Sequence, residues 1–192
     1  MLEHKLKTAF GGHFDAPIEV WKYFADLCDV VDYKKNGKIK EGDKIDRYGY
    51  FLLEGAVGLF VRTGHSTACI DLFLENSFFA DDISLTTGKS SPVEIVALEN
   101  SSVLRISRSN IELLKKTPMG SMLFLIGEEN GYAEKQKHQI ALMTRTAEER
   151  YADLLTNQPA LLQRIQQKHI ASYLGITTQS LSRIRKKYSS NN

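Results

Sequence analysis

The sequence predicts an α+β fold with an N-terminal antiparallel, jelly-roll-like β-roll, a long dimerisation helix and a C-terminal helix-turn-helix domain. Short runs rich in Val, Ile, Phe and Tyr fill residues 30–107, and turn residues separate them, which is typical of many antiparallel strands. A helical apolar stripe follows over residues 119–145. Two short helices joined at Gly175 then close the chain. These observations divide the chain into regions 1–118, 119–145 and 146–192.

Composition is consistent with this division. The chain has 192 residues, of which 42% are hydrophobic and 25% charged, enough for one or two globular domains. Its net charge of +2 is unevenly distributed, because residues 146–192 hold seven basic and only three acidic residues. No signal peptide or membrane-length apolar run is present, and the two cysteines lack a metal-binding spacing. We therefore expect a cytoplasmic protein without membrane contact.

The N-terminal helix and the roll are predicted from local signals. Asp15 is expected to cap a helix with Pro17 in its first turn, and the apolar positions that follow would pack this helix onto the roll as a lid. Turn dipeptides such as Asn36-Gly37 and Glu54-Gly55 separate the strands. The segment between Leu74 and Val93 is less regular, with a short helix predicted from residue 83.

Two helices are expected after the roll. Ser109 to Glu112 form a capping-box pattern, and Pro118 is expected to end the helix that it opens. A longer helix, from about Met119 to about Arg145, carries its apolar positions at Leu123, Ile126, Ala133 and Ile140. Because this stripe is too long for the roll alone to cover, it predicts pairing with a second copy of the chain. A single helix lying across its own domain remains the alternative.

The C-terminal region begins with a second capping-box pattern, Thr146 to Glu149, and its first helix is expected to end near Pro159. Ile170, Ala171 and Leu174 then form one apolar helical face. Gly175 suits a turn with positive φ, and Thr177 is a good N-cap for the last helix. The last helix turns Leu181 and Ile184 inward. This spacing predicts a helix-turn-helix.

The distribution of charge in the helix-turn-helix region predicts the class of its partner. From Pro159 onward the sequence contains no Asp or Glu, whereas its basic residues include Arg164 and Lys168. A purely structural surface helix normally mixes both signs, so an acid-free basic hairpin predicts contact with a polyanion. The outward positions of the last helix are Thr178, Gln179, Ser182, Arg183, Lys186 and Lys187. An ordinary helical hairpin at the end of a domain remains the alternative.

Three motifs in this order carry a family resemblance: FLLEGAVGLF at residues 51–60, AEERYADLL at 147–155 and HIASYLGITTQSLSRIRKK at 169–187. Together they resemble the Crp–Fnr superfamily of bacterial transcription regulators, in particular the regulators abundant in Bacteroidetes. The resemblance implies a cyclic-nucleotide-binding-like sensor roll, a dimerisation helix and a DNA-binding domain. It also implies a homodimer on double-stranded DNA with a palindromic operator, and it allows a contact with RNA polymerase.

By this resemblance Thr178, Gln179 and Arg183 match the positions that reach base edges, and Ser182 lies among them. The chemistry is suitable, because arginine can pair with guanine and glutamine with adenine. Phosphate contacts, which position the protein without reading sequence, are expected from a second group of residues. That group is Lys168, His169, Arg185, Lys186 and Lys187.

The chain also departs from the family. Members that bind cyclic AMP carry Phe-Gly-Glu followed about ten residues later by Arg-Ser or Arg-Thr, but here no arginine occurs between Arg62 and Arg105. The cysteine cluster of the oxygen-sensing branch is missing, and only SSNN follows Tyr188, which predicts a reduced or absent wing. We therefore expect no cofactor and an unknown effector other than cyclic AMP. Candidate pocket residues for it are Phe78, Phe79, Asp81, Asp82, Lys89, Ser90 and Ser91.

Two other functional classes remain as alternatives. A metal-dependent, cupin-like enzyme would need clustered ligands, but the five histidines are scattered along the chain, so we expect no enzyme. They are His4, His13, His65, His138 and His169. A protein-interaction module with a cyclic-nucleotide-binding-like domain would differ from a DNA-binding protein in a salt-dependent gel shift.

Overall fold

The computed structural model describes residues 2–10, 14–64 and 66–189. His13 and His65, two of the five histidines named above, lie outside the described residues, as does the end of the C-terminal SSNN.

In the described residues, eight strands form two four-stranded antiparallel sheets, which confirms the predicted β-roll. The first sheet has the order β1-β8-β3-β6 and the second has the order β2-β7-β4-β5. The strands are β1 Cys28–Tyr33, β2 Lys38–Lys40, β3 Tyr48–Glu54, β4 Ala56–Thr63, β5 Ser66–Leu74, β6 Phe78–Ala80, β7 Val93–Ala97 and β8 Ser101–Ser107.

The two sheets pack face to face around a hydrophobic core. Strand β3 contributes Tyr50 and Leu52 to this core, and alternate residues of β4 and β7 approach from the opposite sheet. The predicted turn at Asn36-Gly37 is present, with Asn36 at a φ of 65°. Strand alternation and turn chemistry therefore account for this part of the fold.

Helices α1 Leu2–Phe10 and α2 Ile18–Asp26 cover the outer face of the first sheet. Trp21 is fully buried there, as expected for a lid helix. The predicted start of α2 is wrong in detail. Pro17 occupies the N-cap position and no side chain caps the helix, so Asp15 does not play that role.

Helix α3 Asp82–Thr87 lies between β6 and β7, and α4 Arg108–Lys115 follows β8. The predicted capping box at Ser109 is wrong, because the Ser107 hydroxyl accepts the Asn110 N–H at 3.2 Å and begins α4 earlier. Helix α5 spans Pro118–Thr144. Proline therefore opens the long helix instead of ending its predecessor, in keeping with its fixed φ and missing N–H.

Four helices follow α5 in the part of the chain that the structure describes: α6 Ala147–Asn157, α7 Pro159–Arg164, α8 Gln167–Tyr173 and α9 Thr178–Ser189. The capping box of Thr146 and Glu149 is confirmed by reciprocal hydrogen bonds. Helix α7 was not predicted, because Pro159 is expected from the sequence to end α6 and instead opens a further helix. Within the described residues no strand follows α9.

The C-terminal helices pack against the outer face of the second sheet. One hydrophobic cluster joins Phe60 and Leu72 of the roll to Leu161 of α7 and to Ile165, which follows α7, and Ile170 of α8 belongs to it as well. The roll is thus covered by helices on both outer faces, and the helix-turn-helix shares a core with it.

Among the described residues, no helix combines the length and the hydrophobicity that a membrane span requires.

Candidate nucleic-acid interface

The turn between α8 and α9 has the predicted glycine geometry. Gly175 has a φ of 68°, its N–H donates to the Ser172 carbonyl at 3.0 Å, and the Ile176 N–H donates to the Ala171 carbonyl at 2.9 Å. A side chain at residue 175 would be strained at this φ and would approach Leu142 of α5. The glycine therefore fixes the corner of the helix-turn-helix.

Helix α9 has one buried and one exposed face. The Thr177 hydroxyl accepts the Ser180 N–H at 3.1 Å and caps the helix as predicted. Leu181 and Ile184 are buried. The three residues predicted to reach base edges, and the serine that lies among them, are all exposed. They are Thr178, Gln179, Ser182 and Arg183, and the 3.6-residue period places them on the side of α9 opposite the core.

Arg150 of α6 supports the turn from behind, a role that the sequence analysis missed. Its guanidinium donates to the Leu174 carbonyl from Nε at 3.1 Å and from Nη2 at 2.7 Å, and it also donates to the Arg145 carbonyl. It thus ties the end of α8 to the linker that follows α5. No sequence signal identified this contact, because an arginine in AEERYADLL is compatible with an exposed helix position.

A groove of about 350 Å³ lies between the start of α8 and one flank of α9. Arg185 and Lys186, both predicted phosphate contacts, line it together with Ser182. Gln167 and Ser189 complete the lining and were not predicted. Cations combined with neutral hydrogen-bonding groups can accommodate a phosphate of a nucleic-acid backbone.

Lys187 lies on the opposite flank of α9, next to α6. Its ammonium forms an ion pair with Glu148 at 2.6 Å, and this hydrogen bond raises the pKa of Lys187. The acid-free character of residues 159–192 is thus partly balanced from outside that segment. The pair is solvent-exposed and contributes little to stability.

Two predicted phosphate contacts lie elsewhere than expected. His169 is half-buried with its ring against Phe60 of β4, 5.1 Å between ring centroids, and burial lowers its pKa, so its imidazole favours the neutral form. Lys168 is exposed but lines a pocket of about 330 Å³ shared with the roll. Both residues therefore face the roll.

Arg164 also corrects the sequence analysis, which assigned its charge to a polyanion-binding surface. Its guanidinium instead binds the carboxylates of Glu75 and Glu99 in the roll, with N–O distances of 2.7 and 2.6 Å. This arginine belongs to the contact between the roll and the C-terminal helices.

The segment expected to bind an effector contains a buried ion pair of its own. Asp81 is fully buried, accepts the Ser84 N–H at 3.1 Å, and so caps α3. Its other carboxylate oxygen lies 2.7 Å from the Lys40 ammonium and accepts the Ser91 hydroxyl. Ser91 stands ten residues after Asp81, about where the cyclic-AMP-binding members carry arginine.

Lys40 was missed as a participant because nothing in the short strand β2 distinguishes it from a surface lysine. Its ammonium also donates to the Ser91 and Val93 carbonyls, so its donors are engaged within the protein. Nearby, Asp46 accepts the Tyr50 hydroxyl at 3.2 Å, and burial raises the pKa of Asp46. These buried carboxylates make the region unfavourable for a further anion.

The other predicted pocket residues do not converge. Phe79 stacks on Tyr50 between the sheets, whereas Phe78 packs beside Phe51 and against Phe10 and Phe24 of the N-terminal helices. Asp82 is exposed and forms an ion pair with Lys135 of α5. Lys89 and Ser90 are exposed as well. The seven residues predicted to line an effector pocket therefore do not share one cavity in this structure, since they lie on both faces of the first sheet and at the surface, and effector binding by them stays a prediction.

Within the described part of the chain, no group of three or more His, Cys, Asp or Glu side chains could hold a metal ion.

Comparisons with known proteins agree with this architecture. Residues 34–117 match the family described as the cyclic nucleotide-binding domain, and the sequence matches no curated protein. The structure of FixK2 from Bradyrhizobium japonicum is similar with a TM-score of 0.74 and 20% identity, covering 86% of each chain.

Two further regulators share the fold. The c-di-GMP-responsive global regulator CLP from Xanthomonas campestris gives a TM-score of 0.69 at 14% identity, covering 91% of this chain and 93% of its own. The catabolite activator protein of Thermus thermophilus gives a TM-score of 0.54 at 19% identity, covering 95% of this chain and 87% of its own. The fold predicted from the Crp–Fnr resemblance is therefore confirmed: a roll matching the cyclic nucleotide-binding domain precedes a long helix and a helix-turn-helix.

Proposed function

We propose that this chain is a dimeric, sequence-specific DNA-binding transcription regulator of the Crp–Fnr type that acts in the cytoplasm. The observation that carries the proposal is the exposed face of α9, which presents Gln179, Ser182 and Arg183 from a hairpin without acidic residues. An exposed recognition helix with cations along its flank fits the major groove of DNA.

Sequence recognition in this proposal depends on two side chains. Arg183 has a planar guanidinium that can donate two hydrogen bonds to guanine O6 and N7, and the Gln179 amide can pair with adenine N6 and N7. Thr178 adds a hydroxyl and a methyl group at the start of the helix. These groups carry the base preference, whereas the groove lined by Gln167 and Arg185 would hold a backbone phosphate.

Dimerisation along α5 supplies a second recognition helix, which would bind the second half-site of the operator. The exposed face of α5 carries Met122, Leu125, Tyr132 and Met143, large apolar side chains that this chain alone does not cover. Two copies paired along this face would present two recognition helices to successive major grooves, about 34–36 Å apart. The operator is then palindromic, and RNA polymerase is the partner through which binding affects transcription.

The test begins with selection of bound duplexes from a random pool, followed by binding measurements on the selected site. We expect enrichment of a palindrome and a steep loss of affinity with salt. Arg183→Ala should weaken binding by about 1–3 kcal/mol and relax the preference at one base position. Arg62→Ala, which removes an exposed arginine from strand β4, is the matched control and should change neither quantity.

Failure to enrich any duplex sequence would overturn the proposal and favour a protein partner for the hairpin. Equal losses of DNA-binding affinity in Arg183→Ala and Arg62→Ala would show that α9 does not read the bases.

A further inference from the structure

A single arginine joins the C-terminal helices to three turns of the roll. Arg164, in the last turn of α7, places Nη1 and Nη2 each 2.7 Å from the two carboxylate oxygens of Glu75. Nη2 also lies 2.6 Å from Glu99 and 3.1 Å from the Gly55 carbonyl oxygen. Glu75 in turn accepts the Gly55 N–H at 2.9 Å. The planar guanidinium thus engages the β3–β4, β5–β6 and β7–β8 turns together.

The surrounding contact is extensive enough to define an orientation. The Ser172 hydroxyl of α8 accepts the Cys69 N–H at 2.8 Å, which pairs a free backbone group on the edge strand β5. Leu161 and Ile165 flank Arg164 and are buried in the core shared with the roll. Helices α7 and α8 therefore hold the helix-turn-helix in one position on the second sheet.

This docking does not obstruct the DNA-reading face. The roll is contacted by Arg164, His169 and Ser172, whereas Gln179 and Arg183 remain exposed on α9. Docking is therefore compatible with DNA binding and restricts the direction in which each recognition helix points.

Such a restriction matters because the two-residue connection between α5 and α6 is not helical. Arg150, which donates to the Arg145 carbonyl, and Tyr173, which stacks on His138, also limit rotation there, and Arg164 adds the contact with the roll. Helix α5 ends at Thr144 and α6 begins at Ala147, so the backbone between them can act as a hinge. In a dimer, rotation at this hinge in either copy changes the separation of the two recognition helices. A palindrome of fixed spacing is selected only if that rotation is prevented.

We propose that Arg164 is a positioning residue that sets the half-site spacing of the operator by clamping the helix-turn-helix to the roll. This inference rests on the proposed function. It predicts that loss of the clamp affects two-site binding, where the orientation of both helices must match the DNA, more than binding to one half-site. The bidentate contact with Glu75 also predicts that lysine, a single-point cation, replaces Arg164 only in part.

The experiment compares wild type, Arg164→Ala, Arg164→Lys and the control Arg62→Ala on three duplexes. One carries the selected palindrome, one has its spacer changed by about 5 base pairs, or half a helical turn, and one has a single half-site. Wild type should prefer the selected spacing by at least about ten-fold, because the second contact becomes intramolecular only when the geometry matches. Arg164→Ala should lose most of this ratio and change half-site affinity by less than about two-fold.

A second readout does not involve DNA. Hydrogen exchange of the β5 residues 66–74 should be faster in Arg164→Ala than in wild type, because the Cys69 N–H loses its stable partner. The double variant Glu75→Gln, Glu99→Gln removes the clamp from the roll side and should reproduce both effects, so the result does not depend on one variant remaining folded.

An unchanged spacing ratio or unchanged exchange in Arg164→Ala would overturn the inference. If wild-type protein binds no duplex, the proposed function fails and the spacing role fails with it, whereas faster exchange in the variant would still establish the clamp.

Discussion

Asp81 illustrates how one residue changes the chemistry of the roll. Both of its carboxylate oxygens are used within the protein, one to cap α3 and one to contact Lys40 and Ser91. A cyclic phosphate carries a full negative charge and needs a paired donor when it leaves water. Here the nearest buried cation is already neutralised by Asp81, and no arginine is available between Arg62 and Arg105. An effector phosphate bound here would therefore have to compete with the Asp81 carboxylate for Lys40.

We therefore predict that cyclic AMP and cyclic GMP do not bind. Calorimetry with either nucleotide at near-millimolar concentration should show no saturable heat, and neither should raise the melting temperature. Binding tighter than about 10 μM, roughly 7 kcal/mol, would contradict this prediction and require the Asp81–Lys40 pair to open. Both nucleotides carry the same cyclic phosphate, so a response to only one would point to recognition of the base instead.

Helix α5 has two apolar faces that differ in exposure. Leu123 is 1% exposed and packs in the core beneath the N-terminal helices, so it belongs to the fold of its own chain. In contrast, Tyr132 is 69% exposed and Met143 is 80% exposed. The sequence analysis placed Leu123 in the dimer seam because three-four spacing alone does not tell which side of a long helix the roll covers. The uncovered stripe is offset from it and also carries Glu129 and Gln136, polar positions suited to fixing register.

A charge on the uncovered stripe should separate the dimer without unfolding the chain. We predict that the double variant Leu125→Glu, Tyr132→Glu sediments as a monomer and retains the circular dichroism of wild type. Its affinity for the palindrome should fall to that of a half-site, because the avidity of the dimer is lost. Lys137→Glu, on another side of the same helix, is the matched control and should remain dimeric. A stable wild-type monomer would refute the proposed seam.

Leu123→Glu should have the opposite effect, loss of the fold itself. Burying a carboxylate in a fully packed core should destabilise the fold itself by several kcal/mol.

The features that the sequence predicted are those determined by neighbouring residues. Turn residues, strand alternation, the Thr146–Glu149 box and the Gly175 corner each follow from a few adjacent positions, so the roll and the helix-turn-helix could be located. Arg164 and Glu75 are 89 residues apart, and no local pattern shows that their charges meet. The same reason explains why Arg164 was assigned to a DNA-contacting surface and why Lys40 was overlooked. The sequence shows the sign of each charge, but which partner each charge contacts depends on tertiary packing.

At the scale of the whole molecule, the roll, α5 and the helix-turn-helix meet around Asp71 of β5. Its carboxylate accepts the Leu72 N–H at 2.9 Å, and burial raises its pKa to about 6, with Lys135 of α5 acting in the opposite direction. On the other side, Tyr173 of α8 stacks on His138 of α5, 4.3 Å between ring centroids. Burial raises the pKa of Tyr173, and the charge of Asp71 adds to this shift. The Asp71 carboxylate therefore interacts electrostatically with Lys135 of α5 and with Tyr173 of α8.

The pH dependence of stability follows from the sign of this shift. Because the folded-state pKa of Asp71 lies above its ordinary value of 3.8, the folded protein holds this proton more tightly than the unfolded chain does. The resulting loss of stability is absent at low pH, grows as pH rises from about 4 to about 6, and is complete above pH 6. Burial lowers the pKa of His138, so this histidine has the opposite effect on the pH dependence of stability. Its contribution is lost as pH falls below about 6.5.

A comparison of wild type with Asp71→Asn isolates the aspartate from the histidines, which both proteins share. We predict that Asp71→Asn raises the free energy of unfolding by about 1–3 kcal/mol at pH 7.5, and that the difference disappears below about pH 4. Urea titrations between pH 4 and 7.5 measure it, with Asp32→Asn, an exposed strand aspartate, as the control expected to show no such trend. A variant less stable than wild type at pH 7.5 would mean that attraction between Asp71 and Lys135 outweighs the cost of burying the carboxylate. The junction would then be held together by charge at neutral pH, and the pH dependence of its stability would be reversed.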